Sequence, residues 1–157
     1  MSTEQEKNER LKTVMNIAMY GLIEGLWDLF GEASFATVHS ISDRILQSLE
    51  SEIGKKINGG DPEAIINEVT DVLVGSFGVM ESGVAKLDGD KASIACTGCF
   101  LQQATGWLEA EGVEPFACIP MNVTAAVMRK QLDKKHHILG RDWDEATKTC
   151  TINFELI

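Results

Sequence analysis

The apolar positions change period along the chain, and the changes mark out its elements. From residue 4 to about 30, Leu11, Val14, Ala18, Leu22, Leu26 and Leu29 recur at three- and four-residue steps, and Met15, Ile17 and Ile23 broaden the stripe. That spacing is one face of a long amphipathic helix, and Gly31 ends it. Gly21 and Gly25, four apart, make a smooth patch for another helix or leave backbone room for a ligand. A second helix is expected from about 34 to 53, with Phe35, Val38, Ile41, Ile45, Leu49 and Ile53 inward. His39 lies one position off that stripe and reads as structural. Asn58-Gly59-Gly60-Asp61-Pro62 is a loop that hands over to a third helix: Asp61 suits the N-cap and Pro62 the first turn. This helix runs to about Val74 and buries Ile65, Val69, Val72 and Leu73.

The period then shortens to two. Residues 79–87 and 91–96 read as a β-hairpin turned by Asp88-Gly89-Asp90. A helix follows from about Phe100 to Glu111, carrying Leu101, Ala104 and Leu108. Another begins near Pro120 and runs to about Asp133, with Val123, Ala126 and Val127 inward. Two strands close the chain, about 136–143 and 148–156. In the last, Cys150, Ile152, Phe154 and Leu156 share one face and Thr149, Thr151, Asn153 and Glu155 the other. Three helices, a hairpin, two helices and a second hairpin predict an α+β domain with an antiparallel sheet. One domain over 1–157 is expected, with residues 1–8 flexible.

Composition narrows the function. Hydrophobic residues make up 44% of the 157, as in ordinary globular chains, and 24 Asp and Glu outnumber 14 Lys and Arg, for a net charge of -10. Phosphate-backbone recognition needs the opposite balance, so no nucleic-acid partner is expected. The short basic cluster Arg129, Lys130, Lys134 and Lys135 reads as a solvated helix face. The polar start has no apolar run behind a basic segment, and no stretch is long enough to span a bilayer. A cytoplasmic location without membrane contact is the expectation.

Chemistry is expected from the four cysteines. Cys96-Thr97-Gly98-Cys99 sits at a strand-to-helix turn, Cys118 lies between Pro115 and Pro120, and Cys150 is on the last strand. In a reducing compartment, thiols favour metal ligation or redox work over disulfides. Zinc takes four such ligands in structural sites, and iron–sulfur clusters accept the same donors. Buried inert thiols are the plain alternative, and Cys150 has a core explanation. A helix N-terminus also favours a reactive thiolate. His136 and His137 are alternative ligands or bases, although neighbours on a strand face opposite ways. Phe100, Trp107 and Phe116 are candidates for an apolar pocket. No phosphate loop, H-E-x-x-H or G-x-S-x-G is present.

Several segments together resemble the 4-vinyl-reductase domain family, whose archaeal members are called hydrocarbon-binding proteins. They are Gly31-Glu32-Ala33, Asp61-Pro62-Glu63, the Gly78-bounded hairpin, Cys96-Thr97-Gly98-Cys99, Glu114-Pro115-Phe116-Ala117-Cys118 and Lys148-Thr149-Cys150-Thr151-Ile152-Asn153-Phe154. The chain is similar also to methanogen output domains and, more distantly, to aminothiazoline-carboxylate hydrolase-like proteins. The resemblance implies a TRAPP-like fold, a homodimer and a small apolar ligand, with Cys118 and Cys150 as metal ligands and Cys96 and Cys99 by position. Family members often end on a cysteine pair, whereas Trp143-Asp144-Glu145 stands where the second cysteine belongs. Three functions follow as expectations: a small-molecule-binding or metal- and redox-sensing domain with a cysteine-ligated zinc or iron–sulfur centre, a cysteine-dependent hydrolase, and a dimerising adaptor. Binding is expected ahead of catalysis.

Overall fold

The computed structural model describes residues 3–114 and 116–157. Pro115 and the first two residues of the expected flexible lead lie outside them. The elements run α1 (Glu4–Phe30), a 3-10 turn (Gly31–Thr37), α2 (Val38–Ile53), α3 (Pro62–Asp71), a π-helical turn (Val72–Ser76), β1 (Ser82–Asp88), β2 (Lys91–Thr97), α4 (Gln102–Ala110), α5 (Ile119–Leu132), β3 (His136–Asp144) and β4 (Thr149–Leu156). This is the expected α+β layout with one four-stranded antiparallel sheet, ordered β1-β2-β4-β3. The chain groups into two compact units: Met1–Thr37 with Phe100–Ala117, and Val38–Cys99 with Cys118–Ile157.

In the first unit, α1 starts at Glu4, inside the stretch expected to be flexible. A capping box explains this: the Thr3 hydroxyl accepts from the Glu6 amide, and the Glu6 carboxylate accepts from the Thr3 amide. The buried side of α1 is not the leucine stripe. Leu11, Val14, Met15, Ile17, Leu22 and Leu29 are exposed, whereas Asn16 and Ile23 are buried. Asn16 explains the choice. Its amide nitrogen donates to the carbonyls of Lys12 (2.9 Å) and Phe100 (2.6 Å), and its amide oxygen accepts from the Ala104 backbone at 2.9 Å. Ala104 is in the first turn of α4, whose N-cap position, Leu101, has no side-chain oxygen to satisfy such a donor. Asn16 supplies the missing cap from another helix. The aromatic rings follow the same side: Tyr20 meets Trp107 edge-on at 5.6 Å, and Phe35 bridges Trp27 (5.8 Å) and Phe116 (6.0 Å).

The second helix begins later than expected. Gly31–Thr37 is wound as a 3-10 turn, pinned by Ser34, whose hydroxyl donates to the Leu26 carbonyl. In the second unit, α2 buries Ser42 and Leu46, one position round from the isoleucine stripe. The start of α3 is as expected: Asp61 accepts from the Ala64 amide at 2.9 Å, with Pro62 in the first turn. The hairpin between β1 and β2 turns on Gly89, whose φ of 62° suits glycine at the first position of a two-residue loop.

The expectation of a one-faced α5 is overturned. Every residue from Pro120 to Met128 is buried. A helix apolar all round belongs in a core, and α5 packs on α2 and α3, while its Met121, Thr124, Ala125 and Met128 lie against Phe154 and Leu156 of the sheet. Arg129 ties it to α2 through Asp43 at 2.6 Å, joined by Lys130 at 3.5 Å. These two basic residues thus take part in the core's border.

Candidate metal centre

All four cysteines fall in the second unit, and the sheet explains why. The second strands of the two hairpins pair, and their register sets Cys96 opposite Cys150. Directly opposed residues in such a ladder share one face, with Cβ atoms about 4.5–5.5 Å apart. That face is the buried one, shared with Ala92, Ile94, Ile152 and Phe154. On the other face, Thr97 and Thr149 exchange a 2.8 Å hydroxyl hydrogen bond that pins the same register.

Cys99 returns to this end through Gly98, whose φ is 65° and whose amide hydrogen-bonds to the Lys148 carbonyl at 3.4 Å. That positive φ is what asks for glycine here, since the Glu81 side chain, the nearest neighbour of a Cβ built on Gly98, is exposed and free to swing aside. Cys118 is the N-cap residue of α5. It makes no capping hydrogen bond, yet the Met121 amide lies close enough to favour its thiolate.

The four thiols feel one another. Burial above all pushes the Cys96 thiol pKa up, and Cys118, Cys99 and Cys150 add to the rise. Burial likewise pushes Cys118 up to about 12, opposed by the Met121 amide and by the Arg141 charge, and reinforced by Cys99 and Cys150. Thiols are the donor type that a zinc or iron centre takes. Among the described residues, however, no three Cys, His, Asp or Glu side chains already stand in ligating geometry.

Arg141 was not a candidate from sequence. It lies opposite Ile152, and Trp143 lies opposite Cys150, because β3 shifts register between Ile138 and Gly140. The bulge brings Arg141 and Trp143 onto the parity of the cysteine face. Gly140, with φ 152°, was the available signal, since a glycine inside a strand pattern marks a bulge. Asp144 does not extend the site: it folds the β3–β4 turn by accepting from Ala146 and Thr147. Glu145 accepts from the Trp143 indole.

The histidines are elsewhere. His136 and His137 pair with Leu156 and Glu155, six and five positions along β4 from Cys150, or about 20 Å for six residues at 3.3 Å each. His136 stacks edge-on to Phe154 at 6.4 Å, and burial, with the charges of His39, Arg129 and His137, lowers its pKa. Phe100, Trp107 and Phe116 belong to the first unit. Trp107 and Phe116 are in ring contacts with Tyr20 and Phe35, and the Phe100 carbonyl accepts from Asn16.

Residues 15–154 match the family described as "Putative rubredoxin C-terminal domain". The chain belongs to this family. The match spans most of the chain and overturns the resemblance to the 4-vinyl-reductase and hydrocarbon-binding proteins. Much of that likeness rested on cap and turn signals, such as Asp61-Pro62 and the glycine-bounded hairpin, which any fold with the same local geometry requires. No curated protein matches the chain. The family's name associates the chain, at a coarse level, with metal and redox chemistry. No helix among the described residues is long and apolar enough to cross a membrane.

Proposed function

We propose that this domain binds a metal through Cys96, Cys99, Cys118 and Cys150, as a redox or metal-sensing module. The observation that supports the reading is the opposition of Cys96 and Cys150 across the β2–β4 ladder, with Cys99 and Cys118 near enough to interact with them electrostatically. The rubredoxin name of the family favours iron, and the donor set accepts zinc or an iron–sulfur cluster equally. The bound metal would supply Lewis acidity or, as iron, one-electron exchange.

The chain's own residues do the rest. The buried sheet face keeps water from Cys96. Each thiol gives up its proton on ligation, so binding releases protons and weakens as pH falls. Four thiolates around a divalent ion leave two net negative charges, and Arg141 and the Met121 amide offset them near Cys118. The raised thiol pKa values of Cys96 and Cys118 oppose a nucleophilic role for those two residues, since a nucleophile needs its thiolate at neutral pH.

The test is elemental analysis and absorption spectroscopy of protein purified without oxygen. One iron or zinc per chain, lost in Cys96→Ser and in Cys150→Ser, is the expected result. Thiolate-to-iron charge-transfer bands would identify iron. A folded protein that takes up no metal would overturn the proposal, and a single fast-alkylating cysteine would favour the hydrolase.

A further inference from the structure

The cysteine row of the sheet has two flanks, and they are closed differently. Across the four strands the row runs Gly83, Cys96, Cys150 and Trp143. On the β1 side, the Thr70 methyl and the Met80 side chain fill the place that a Cβ on Gly83 would take, and both residues are buried. On the β3 side the row ends at Trp143, which lies on an edge strand and is 40% exposed.

The hydrogen-bond phase of β4 shows which neighbour Cys150 meets more closely. Ile157, just past β4, exchanges both backbone bonds with Lys135, whereas Leu156 donates to Asp90. Odd-numbered residues of β4 therefore bond toward β3 and even-numbered ones toward β2. Cys150 thus forms a hydrogen-bonded pair with Cys96, at about 5.5 Å between Cα atoms. With Trp143 it forms a non-hydrogen-bonded pair, at about 4.5 Å, the kind in which side chains lie closest.

Two further features aim the ring. Before the bulge, Ile138 pairs with Phe154, and that register carried on would set Asp142 against Cys150 and turn Trp143 to the other face. The one-residue shift re-aims the strand. The β3–β4 turn then holds the indole, whose Nε1 donates to Glu145 at 2.8 Å, and Glu145 pairs with Lys148. The Lys148 carbonyl in turn accepts from the Gly98 amide, inside the Cys96–Cys99 turn. One turn therefore ties the ring and the thiol-bearing loop to the same end of the sheet.

We infer that Trp143 shutters the thiol site: its indole covers the outer side of Cys150 and sets how fast reagents, and a bound metal, reach or leave that sulfur. The consequence for a metal rests on the metal-binding reading above, whereas the consequence for the thiol itself does not.

The experiment pulses the reduced, metal-free full chain with iodoacetamide and follows each cysteine by peptide mass spectrometry. Trp143→Ala is expected to speed alkylation of Cys150 about tenfold while Cys96 stays slow, because access decides which thiol reacts. The melting temperature should change little. Trp143→Phe, which keeps a ring, should restore the slow rate, and Glu145→Ala, which unties the indole, should fall between. In zinc-loaded protein, Trp143→Ala should hasten transfer of zinc to the chelator pyridylazoresorcinol about tenfold, the scale on which residues outside the ligand set act. Unchanged Cys150 alkylation in Trp143→Ala, equal acceleration of all four thiols, or failure of Trp143→Phe to restore protection would each overturn the inference. A wild-type chain that takes up no zinc would sink the metal reading alone, since alkylation still decides the role of Trp143.

Discussion

Two helices of this protein have comparable apolar content and opposite fates. In α5, nine consecutive residues are buried, polar Asn122 and Thr124 among them. In α1, six large apolar residues of the leucine stripe and its flanks face outward, and the buried side holds Asn16. Apolar content therefore does not decide which side of a helix is inside. The buried side of α1 is fixed by hydrogen bonds that only Asn16 can make: it completes the first turn of a neighbouring helix, and the leucines gain nothing comparable within the described residues. Around α5, by contrast, every residue from Pro120 to Met128 is enclosed, and Thr124 satisfies its hydroxyl within its own helix, donating to the Pro120 carbonyl at 2.8 Å.

The strongest challenge to this comparison is a charge in each helix. Val127→Asp places an unpaired carboxylate in a site 1% exposed, and loss of the cooperative fold is expected by circular dichroism. Leu22→Asp, at a site 65% exposed, should leave the chain's own fold intact. Next comes Asn16→Leu, which strands the Phe100 carbonyl and the Ala104 amide. At about 1–3 kcal/mol per buried group left unsatisfied, urea denaturation should show a loss of several kcal/mol from replacing a polar residue with the more apolar one. Leu22→Asn, the reverse exchange, should change stability by less than about 0.5 kcal/mol.

Smaller effects test the border of α5. Asp43→Ala removes the carboxylate shared by Arg129 and Lys130. Because the pair is partly exposed, screening limits the expected loss to about 1 kcal/mol, measured by thermal melting. The smallest effect concerns pH. His136 faces Met121, Thr124, Ala125 and Met128 of α5, and its pKa in the fold lies below the ordinary 6.5. As pH falls through 6.5, the unfolded chain takes up a proton that the folded one resists, so stability declines with acidity over that window. His136→Phe should flatten the slope of denaturation midpoint against pH, and an unchanged slope would show that His136 does not contribute it.

Much of the fold was legible because period and punctuation agree. The Asp61 cap, the Gly89 hairpin and the parity of β4 need only local chemistry. What local chemistry could not supply was which strands meet. Each hairpin was visible, but the pairing of β2 with β4 joins residues far apart in the chain, and that pairing alone brings Cys96 to Cys150. The bulge before Gly140 had a sequence signal without a stated consequence, so Arg141 went unnoticed. The histidines looked like ligands by type and lie at the far end of the strand from Cys150. The buried side of α1 was not legible, because periodicity reports that a helix has two sides without naming the inner one.

The opposition of Cys96 and Cys150 makes strand alignment chemically audible. Either hairpin can close by itself, but the middle ladder must wait for both, and a slip of one residue would send one thiol to the far side of the sheet. A misaligned chain would then offer a metal scattered donors, while an aligned one would offer convergent ones. Metal uptake, followed in real time during refolding, would thus serve as a clock for the moment at which the two halves of the sheet find their proper partners.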